Sequence, residues 1–361
     1  MLWNTASDDE LVGEYRSYTL RKLTIIFGGM LILLVLMGLS VTVGYRDIQF
    51  FDVYAIIYDH ITGASYDYHS EEWWDDWIVC NTRMPKVVVG IVAGVGLTVS
   101  GATMQSVMKN PLADPYTTGI SSAAVFGVTI AMVLGISFAD MSGQYAIVFN
   151  AFVFGMIPAL VVMLVSKMNS ISPSTLILAG IAISYFFGAL DTLVMTMATP
   201  EDMKSAFLWQ IGSLDHLTWN DLPIMLVVVS AGAVIMSFLS KKLNILSSGD
   251  ESATSLGLNV TNYRLMCLIL LSLMTASVIS FTGIIGFVGL VVPHICRIIL
   301  GSDNKFILPA CAVLGPIMIL TADIIGKTIS PMGDLPMGIV MSFIGGPLFL
   351  LLVLKQRREM W

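Results

Sequence analysis

Residues Lys86–Lys109 read KVVVGIVAGVGLTVSGATMQSVMK, with no charge between the two terminal lysines. A run of this length matches the ~20 apolar residues that an α-helix needs to cross a bilayer. Its apolar residues are continuous rather than alternating, which excludes a barrel strand. Gly90 and Gly94 lie four apart, as do Gly96 and Ser100. Small residues at that spacing let two backbones approach where no hydrophobic effect drives helices together. This span, placed at 87–107, is therefore expected at the centre of a helical bundle.

Comparable runs lie on either side of it, at 23–43, 117–137, 145–165, 176–197, 222–240, 264–282, 284–300, 306–326 and 335–354. The stretch 264–300 is too long for one crossing, and Thr282-Gly283 is the expected break. Composition agrees: of 361 residues, 56% are hydrophobic and 12% are charged, the latter about half the usual ~25%. Mean hydropathy is +0.83. So few charges cannot cover a soluble domain, and so many apolar residues exclude disorder. The net charge of −7 argues against a nucleic-acid partner. Cys80, Cys267, Cys296 and Cys311 show no paired spacing and read as small hydrophobes. The polar start of the chain, with Asp8, Asp9 and Glu10 ahead of Arg21 and Lys22, does not read as a cleavable signal.

Lysine and arginine set the expected orientation. With the N-terminus inside, Arg16, Arg21, Lys22, Lys109, Lys167, Lys241, Lys242, Arg264, Arg297, Lys305, Lys355, Arg357 and Arg358 are cytoplasmic, 13 of the 18 basic residues. The outer loops carry acids instead. Both termini are then cytoplasmic, which requires an even number of spans, and ten satisfies it.

Four polar segments interrupt this pattern. On the cytoplasmic side, residues 247–262 contain Ser248 and Glu251 at capping-box spacing and Gly257 as a left-handed stop. A helix over about 249–256 is expected, with Ala253 and Leu256 forming its small apolar face. A helix this short needs something to pack against, either a cytoplasmic partner or its own protein. The loop Lys109-Asn-Pro-Leu-Ala-Asp-Pro115 is stiffened by two prolines. It is either a constriction at the inner mouth or a plain turn. On the outer side Arg83, Lys86 and Lys327 run against the positive-inside trend. They either snorkel to headgroups or pair with acids on a docking protein. The stretch Tyr66-Asp-Tyr-His-Ser-Glu-Glu-Trp-Trp-Asp-Asp-Trp77 reads as an interfacial or docking decoration. A metal-capturing cluster using His60 or His69 is the weaker alternative, because no ligand spacing recurs around them.

Catalytic signatures do not accumulate. Gly326-Lys327-Thr328 ends like a phosphate loop, but the glycine required five positions earlier is Thr321. Asp191 and Asp323 fall inside spans and form no obvious pair. Asp323, costly there, reads as a helix-packing contact.

Together these segments resemble the iron-siderophore, haem and vitamin B12 permeases (FecCD/BtuC type) of binding-protein-dependent ABC importers, from about residue 50 onward. The matching blocks are Arg83-Met-Pro-Lys86, Ser100-Gly-Ala-x-x-Gln105, Asn110-Pro-Leu-Ala-Asp-Pro115 and Gly119-Ile-Ser-Ser122. Further along are Leu208-Trp-Gln-Ile-Gly-Ser-Leu214, Gly286-Phe-Val-Gly-Leu-Val-Val-Pro-His294 with Arg297, Ala322-Asp-Ile324, Asp334-Leu-Pro-x-Gly338 and Gly345-Gly-Pro347.

The resemblance implies an all-α polytopic membrane protein with ten transmembrane helices and the type II ABC importer permease fold. Residues 1–22 would be a cytoplasmic segment and 23–354 one permease domain, with an outer insertion at 59–82 and a coupling segment at 247–262. Residues 355–361 would form a cytoplasmic tail. It further implies a homodimer in the cell membrane, two cytoplasmic ATPase subunits that bind ATP and Mg, and an extracytoplasmic substrate-binding protein. This chain would bind no cofactor or metal. Arg83, Lys86 and Lys327 match positions that meet the binding protein. Ser248, Gly249, Asp250, Glu251, Ala253, Leu256 and Gly257 match the coupling helix that sits in the ATPase. Asn110 and Leu112 match the cytoplasmic gate, joined by Ser174. The alternative class, a secondary transporter driven by an ion gradient, predicts inverted repeats and ionisable sites near mid-membrane; neither is clear in the sequence.

Overall fold

The computed structural model describes residues 8–137, 143–168, 173–330 and 335–359. Among the described residues every regular element is a helix. The chain opens with α1 (Asp8–Thr42), α2 (Phe50–Thr62) and α3 (Glu71–Trp77), then a π turn (Ile78–Arg83) that runs directly into α4 (Met84–Met108). After a 3₁₀ turn (Pro115–Thr118) come α5 (Ile120–Leu134), α6 (Gln144–Met168), α7 (Pro173–Met195) and α8 (Pro200–Ile211). The second half holds α9 (Leu222–Phe238), α10 (Ser240–Ser247), α11 (Asp250–Ser255), α12 (Val260–Thr282), α13 (Val288–Leu300), α14 (Asn304–Ile329) and α15 (Met337–Glu359). Of the motif residues, Asp334 lies outside the described residues, as do 1–7 and 360–361 of the expected terminal segments.

Six helical stretches are long and apolar enough to cross a bilayer: Arg16–Thr42, Glu71–Met108, Gln144–Leu164, Ser174–Met195, Val260–Thr282 and Asn304–Ile329. A seventh arises if α9 and α10, bent by 62° at their junction, count as one. The remaining expected spans are present as the shorter apolar helices Ile120–Leu134, Val288–Leu300 and Met337–Leu351. At 1.5 Å per residue, 15 residues reach only about 22 Å. Left-handed backbone explains where two of them stop. Gly119 and Gly135 bracket α5, and Phe287 and Gly301 bracket α13. Length and composition thus establish seven crossings at most among the described residues, against the ten expected.

The second span is the most enclosed of the six, 83% buried against 28% for the first and 17% for Ser174–Met195. It packs on α9, α12, α13 and α14. The small residues expected to permit this do so. A Cβ on Gly94 would lie 2.4 Å from the backbone nitrogen of Pro316, so α4 and α14 touch through their main chains.

Two helices run past the expected domain boundaries. α1 runs unbroken from residue 8 through residue 22 into the first span. Lys22 is buried against Tyr18 and Phe306, its ammonium 3.8 Å and 4.7 Å from the two ring centroids, and this cation–π seat anchors the helix on α14. Likewise α15 continues to Glu359, through most of the expected tail.

Candidate functional site

Helix α11 is the short helix expected near 249–256, but its start differs. The Ser248 hydroxyl donates back to the carbonyl of Ile245 at 2.8 Å, so the expected capping box does not form. Gly249 takes the N-cap position with φ 124°, a conformation that a β-carbon disfavours. The end is as expected: Gly257 has φ 81°, Leu258 N donates to Ala253 O at 3.0 Å and Gly257 N to Thr254 O at 2.9 Å, the two bonds of a Schellman stop. Ala253 and Leu256 do not share a face. Ala253 is fully buried, whereas Leu256, the C-cap residue past the end of the helix at Ser255, is 69% exposed. Glu251, Thr254 and Ser255 are exposed beside Leu256.

The carboxylate of Asp250 ties this helix to the bundle. It accepts from Lys109 Nζ at 2.5 Å and from Arg264 Nη2 at 2.8 and 3.0 Å. Burial pushes the Asp250 carboxyl up, and the hydrogen bonds from Lys109 and Arg264 outweigh it, so the group titrates below its ordinary range. Lys109 is the residue that ends α4, in left-handed conformation. Asp250 therefore links an exposed helix directly to the end of the most enclosed span.

The expected gate loop begins one residue later. Asn110 N donates to Gln105 O at 3.1 Å, and its side-chain carbonyl accepts Leu112 N at 3.0 Å, an Asx turn that fixes the loop. Leu112 is exposed and Ala113 buried. Asp114 accepts Tyr116 N at 2.8 Å and caps the 3₁₀ turn. Burial lifts its carboxyl to about 6, against the opposing hydrogen bond from Tyr116. The turn rests on α7, where a Cβ on Gly180 would meet the carbonyl of Thr117 at 2.0 Å. Ser174 stands exposed on the first turn of that same helix.

A polar chain extends from this loop into the bundle. Arg297 Nε donates to Gln105 at 3.2 Å and its Nη2 to Ser106 Oγ at 2.9 Å. Ser106 donates to Asn304 at 2.9 Å. Asn304 donates to Asn244, and Asn244 to Asp303. Helices α4, α10, α13 and α14 are thereby joined beneath the loop. A cavity of about 450 Å³ opens beside this chain, lined by Lys109, Asn110, Pro111, His294 and Arg297 among others. Sequence reasoning missed the roles of Lys109, Arg264, Asn244 and Asn304. Arg264 contributed only to the orientation count and Lys109 also opened the proline loop, with no sign of a shared acid, and the asparagines carried no spacing signal.

The three expected docking cations are at the opposite, acidic end, and two of them are spent inside the protein. The Arg83 guanidinium donates to the carbonyls of Val41, Thr42 and Arg46 at 2.6–3.0 Å. It closes the last turn of α1, where carbonyls lack helical partners. Lys327 pairs with Asp323 at 2.6 Å, their side chains 7% and 9% exposed, and Ser40 donates to the same carboxylate at 2.8 Å. Asp323 is thus the helix-packing contact expected of it. Asp191 plays the same part between α5 and α7, accepting from Thr129 at 2.5 Å. Lys86 sits at the edge, 3.3 Å from Asp215.

A bundle of long apolar helices, whose enclosed central span ends on a salt bridge to an exposed helix, has the architecture of a membrane transport subunit. The chain belongs to the FecCD transport family, whose model matches residues 31–355, and is a multi-pass ABC transporter permease. It is 34% identical over 286 residues to the hemin transport system permease protein HmuU of Yersinia pestis, covering 79% of this chain and 85% of that one. It is 34% identical over 277 residues to the cobalamin import system permease protein BtuC of Halobacterium salinarum, covering 76% and 73%. A solved metal-chelate type ABC transporter in an inward-facing conformation superposes with a TM-score of 0.80 at 27% identity, covering 92% of this chain and 99% of the other.

Proposed function

We propose that this chain is the membrane half of an importer that carries an iron-siderophore type chelate, or haem or cobalamin, into the cell at the expense of ATP hydrolysed by a separate subunit. The named cargoes of its relatives support the substrate class. The single observation that carries the mechanism is the pair formed by exposed Leu256 and inward-reaching Asp250 on α11. Leu256 and its exposed neighbours offer a patch for an ATPase, and Asp250 passes its displacement to Lys109 and so to Asn110 and Leu112. Packings of the same helices that differ with the partner's nucleotide state then open and close the pathway.

Two copies face one another in this reading, and the exposed apolar face of α7, with Leu178, Ile181, Tyr185 and Phe186, supports a copy or lipid against it. The bent pair and the three short helices complete ten spans. The basic end, both termini included, faces the cytoplasm, and the acidic end receives the binding protein. There Lys86, paired with Asp215, is the least enclosed of the three cations, while Arg83 and Lys327 hold its surroundings in shape. ATP and Mg belong to the partner.

The test uses vesicles containing the chain with its ATPase and binding protein. Haem, cobalamin and a ferric siderophore are offered in turn. ATP-dependent accumulation of one of them, abolished by Leu256→Asp together with ATPase co-purification, is expected. Uphill accumulation by the chain alone, or an unimpaired Leu256→Asp complex, overturns the reading.

A further inference from the structure

At the acidic end α2 and the continuous helix from Glu71 face one another across the loop that begins at Gly63, which has φ 83°. His60 is in the last turn of α2. Asp76 and Cys80 lie four residues apart on the facing helix, a spacing that puts both side chains on one face. The π turn over Ile78–Arg83 sets the direction of Cys80, and Trp219 Nε1 fixes its backbone by donating to the Cys80 carbonyl at 2.7 Å. As a result one nitrogen, one oxygen and one sulfur atom, from His60, Asp76 and Cys80, lie within 4.8 Å of one another.

We propose that His60, Asp76 and Cys80 bind a borderline divalent cation, zinc being the type, at the acidic end of the protein. A tetrahedral site with bonds of about 2.0–2.3 Å separates its ligand atoms by about 3.3–3.8 Å. Cys80 Sγ and Asp76 Oδ1 are already 3.7 Å apart. His60 Nδ1 and Asp76 Oδ1 are 2.8 Å apart and need separate by only about half an ångström to admit the ion. The mixed donor set selects zinc or its neighbours over magnesium and calcium, which prefer all-oxygen ligands. Three protein ligands leave a fourth position for water.

The surroundings suit a cation. The Tyr66 hydroxyl lies in the field of Asp59, Asp76 and Cys80 and is 3.5 Å from the Asp59 carboxylate. Asp59, Glu71 and Glu72 add negative charge in the flanking sequence, Asp75 being taken up by Arg46, and an acidic excess raises the local cation concentration. The His60 side chain is 48% exposed and Cys80 is buried, so the site has an open side and a closed one. His69 plays no part: its ring packs against Tyr68 and edge-on to Trp73. A bound ion pins α2 to the helix that becomes the central span. This site is independent of the transport reading.

The experiment titrates zinc into the detergent-purified full-length chain, stripped with EDTA, against a chromophoric chelator. One equivalent is expected, weakened at least tenfold by His60→Ala and by Cys80→Ser and unchanged by His69→Ala. Cobalt substituted for zinc is expected to show a thiolate-to-metal charge-transfer band, lost in Cys80→Ser. No zinc bound by the unaltered chain, equal binding by the His60 and Cys80 variants, or bound cobalt without the thiolate band each overturns the proposal. Because His60 is exposed, its variant remains informative if Cys80→Ser misfolds.

Discussion

At the acidic end, Arg83, Asp323 and Lys327 turn inward and spend their charge holding helices to one another. At the basic end, Asp250 stands on a surface helix and reaches inward to Lys109 and Arg264. The first arrangement has no exposed member through which a partner could move it; the second has one free side and one anchored side. A buried frame at one end and a helix with an exposed side at the other fit the coupling proposed above. The comparison also separates two kinds of charged residue that look alike in a sequence.

The sharpest way to break it is Asp323→Ala. This leaves the Lys327 ammonium buried without its carboxylate, and Ser40 without its acceptor. Removing one partner of a buried pair costs about 3–5 kcal/mol, so thermal unfolding in detergent should show a large drop. Lys86→Ala breaks a pair whose side chains are 15% and 38% exposed and should cost less, about 1 kcal/mol. Similar losses for the two variants would remove the distinction between frame and surface.

Asp114 tests the basic end through pH. Its folded value of about 6 lies above the ordinary 3.8, so the unfolded chain ionises first. Below about pH 4 both states hold the proton and burial costs nothing. As pH rises towards 6 the unfolded state alone gains by ionising, and above 6 the full penalty of about 3 kcal/mol is present. Asp114→Asn keeps the acceptor for Tyr116 N and removes the charge. Its stability advantage over the unaltered chain should grow from near zero at about pH 4 to about 3 kcal/mol by pH 7. A melting difference independent of pH would show that the carboxyl is not held in a desolvated site.

The bundle itself was legible because its signals are repetitive. Long uncharged runs mark helices, and the spacing of Gly90 and Gly94 marked the central one. The helical stop at Gly257 was legible for the same reason, since one residue type meets one backbone demand. Side-chain direction was not. Ala253 and Leu256 look like one apolar face, but α11 ends at Ser255 and Leu256 falls beyond it at the C-cap. Arg83 looks like a surface cation until packing brings carbonyls from about 40 residues away beside it, whereas Asp323 and Lys327 stand at a four-residue spacing that the sequence already displays. His60, Asp76 and Cys80 carry no recurring spacing because two helices supply them, so the cluster exists only once the chain has folded back at Gly63.

Asp250→Asn addresses the movable connection directly. It keeps the side chain's shape and one carbonyl acceptor but loses the charge shared by Lys109 and Arg264. Stability should fall by about 1–2 kcal/mol. ATP hydrolysis coupled to cargo should fall about tenfold, the size of a 1.4 kcal/mol coupling energy. A variant that unfolds more easily yet couples normally would reduce Asp250 to a local brace.

The smallest effect is expected from Lys86→Glu. Edge charges steer encounter more than they stabilise a complex, and salt screens them within about 10 Å at 0.1 M. Association with the binding protein should slow by a few fold at low salt, and the difference should close as salt is raised, with dissociation unchanged. The same reversal at Arg83 should act differently, disturbing the end of α1 and lowering thermal stability, because three carbonyls there lose their donor. If Arg83→Glu instead left stability intact and only slowed association, the guanidinium would have to swing out to meet its partner, and the acidic end would be as movable as the basic one.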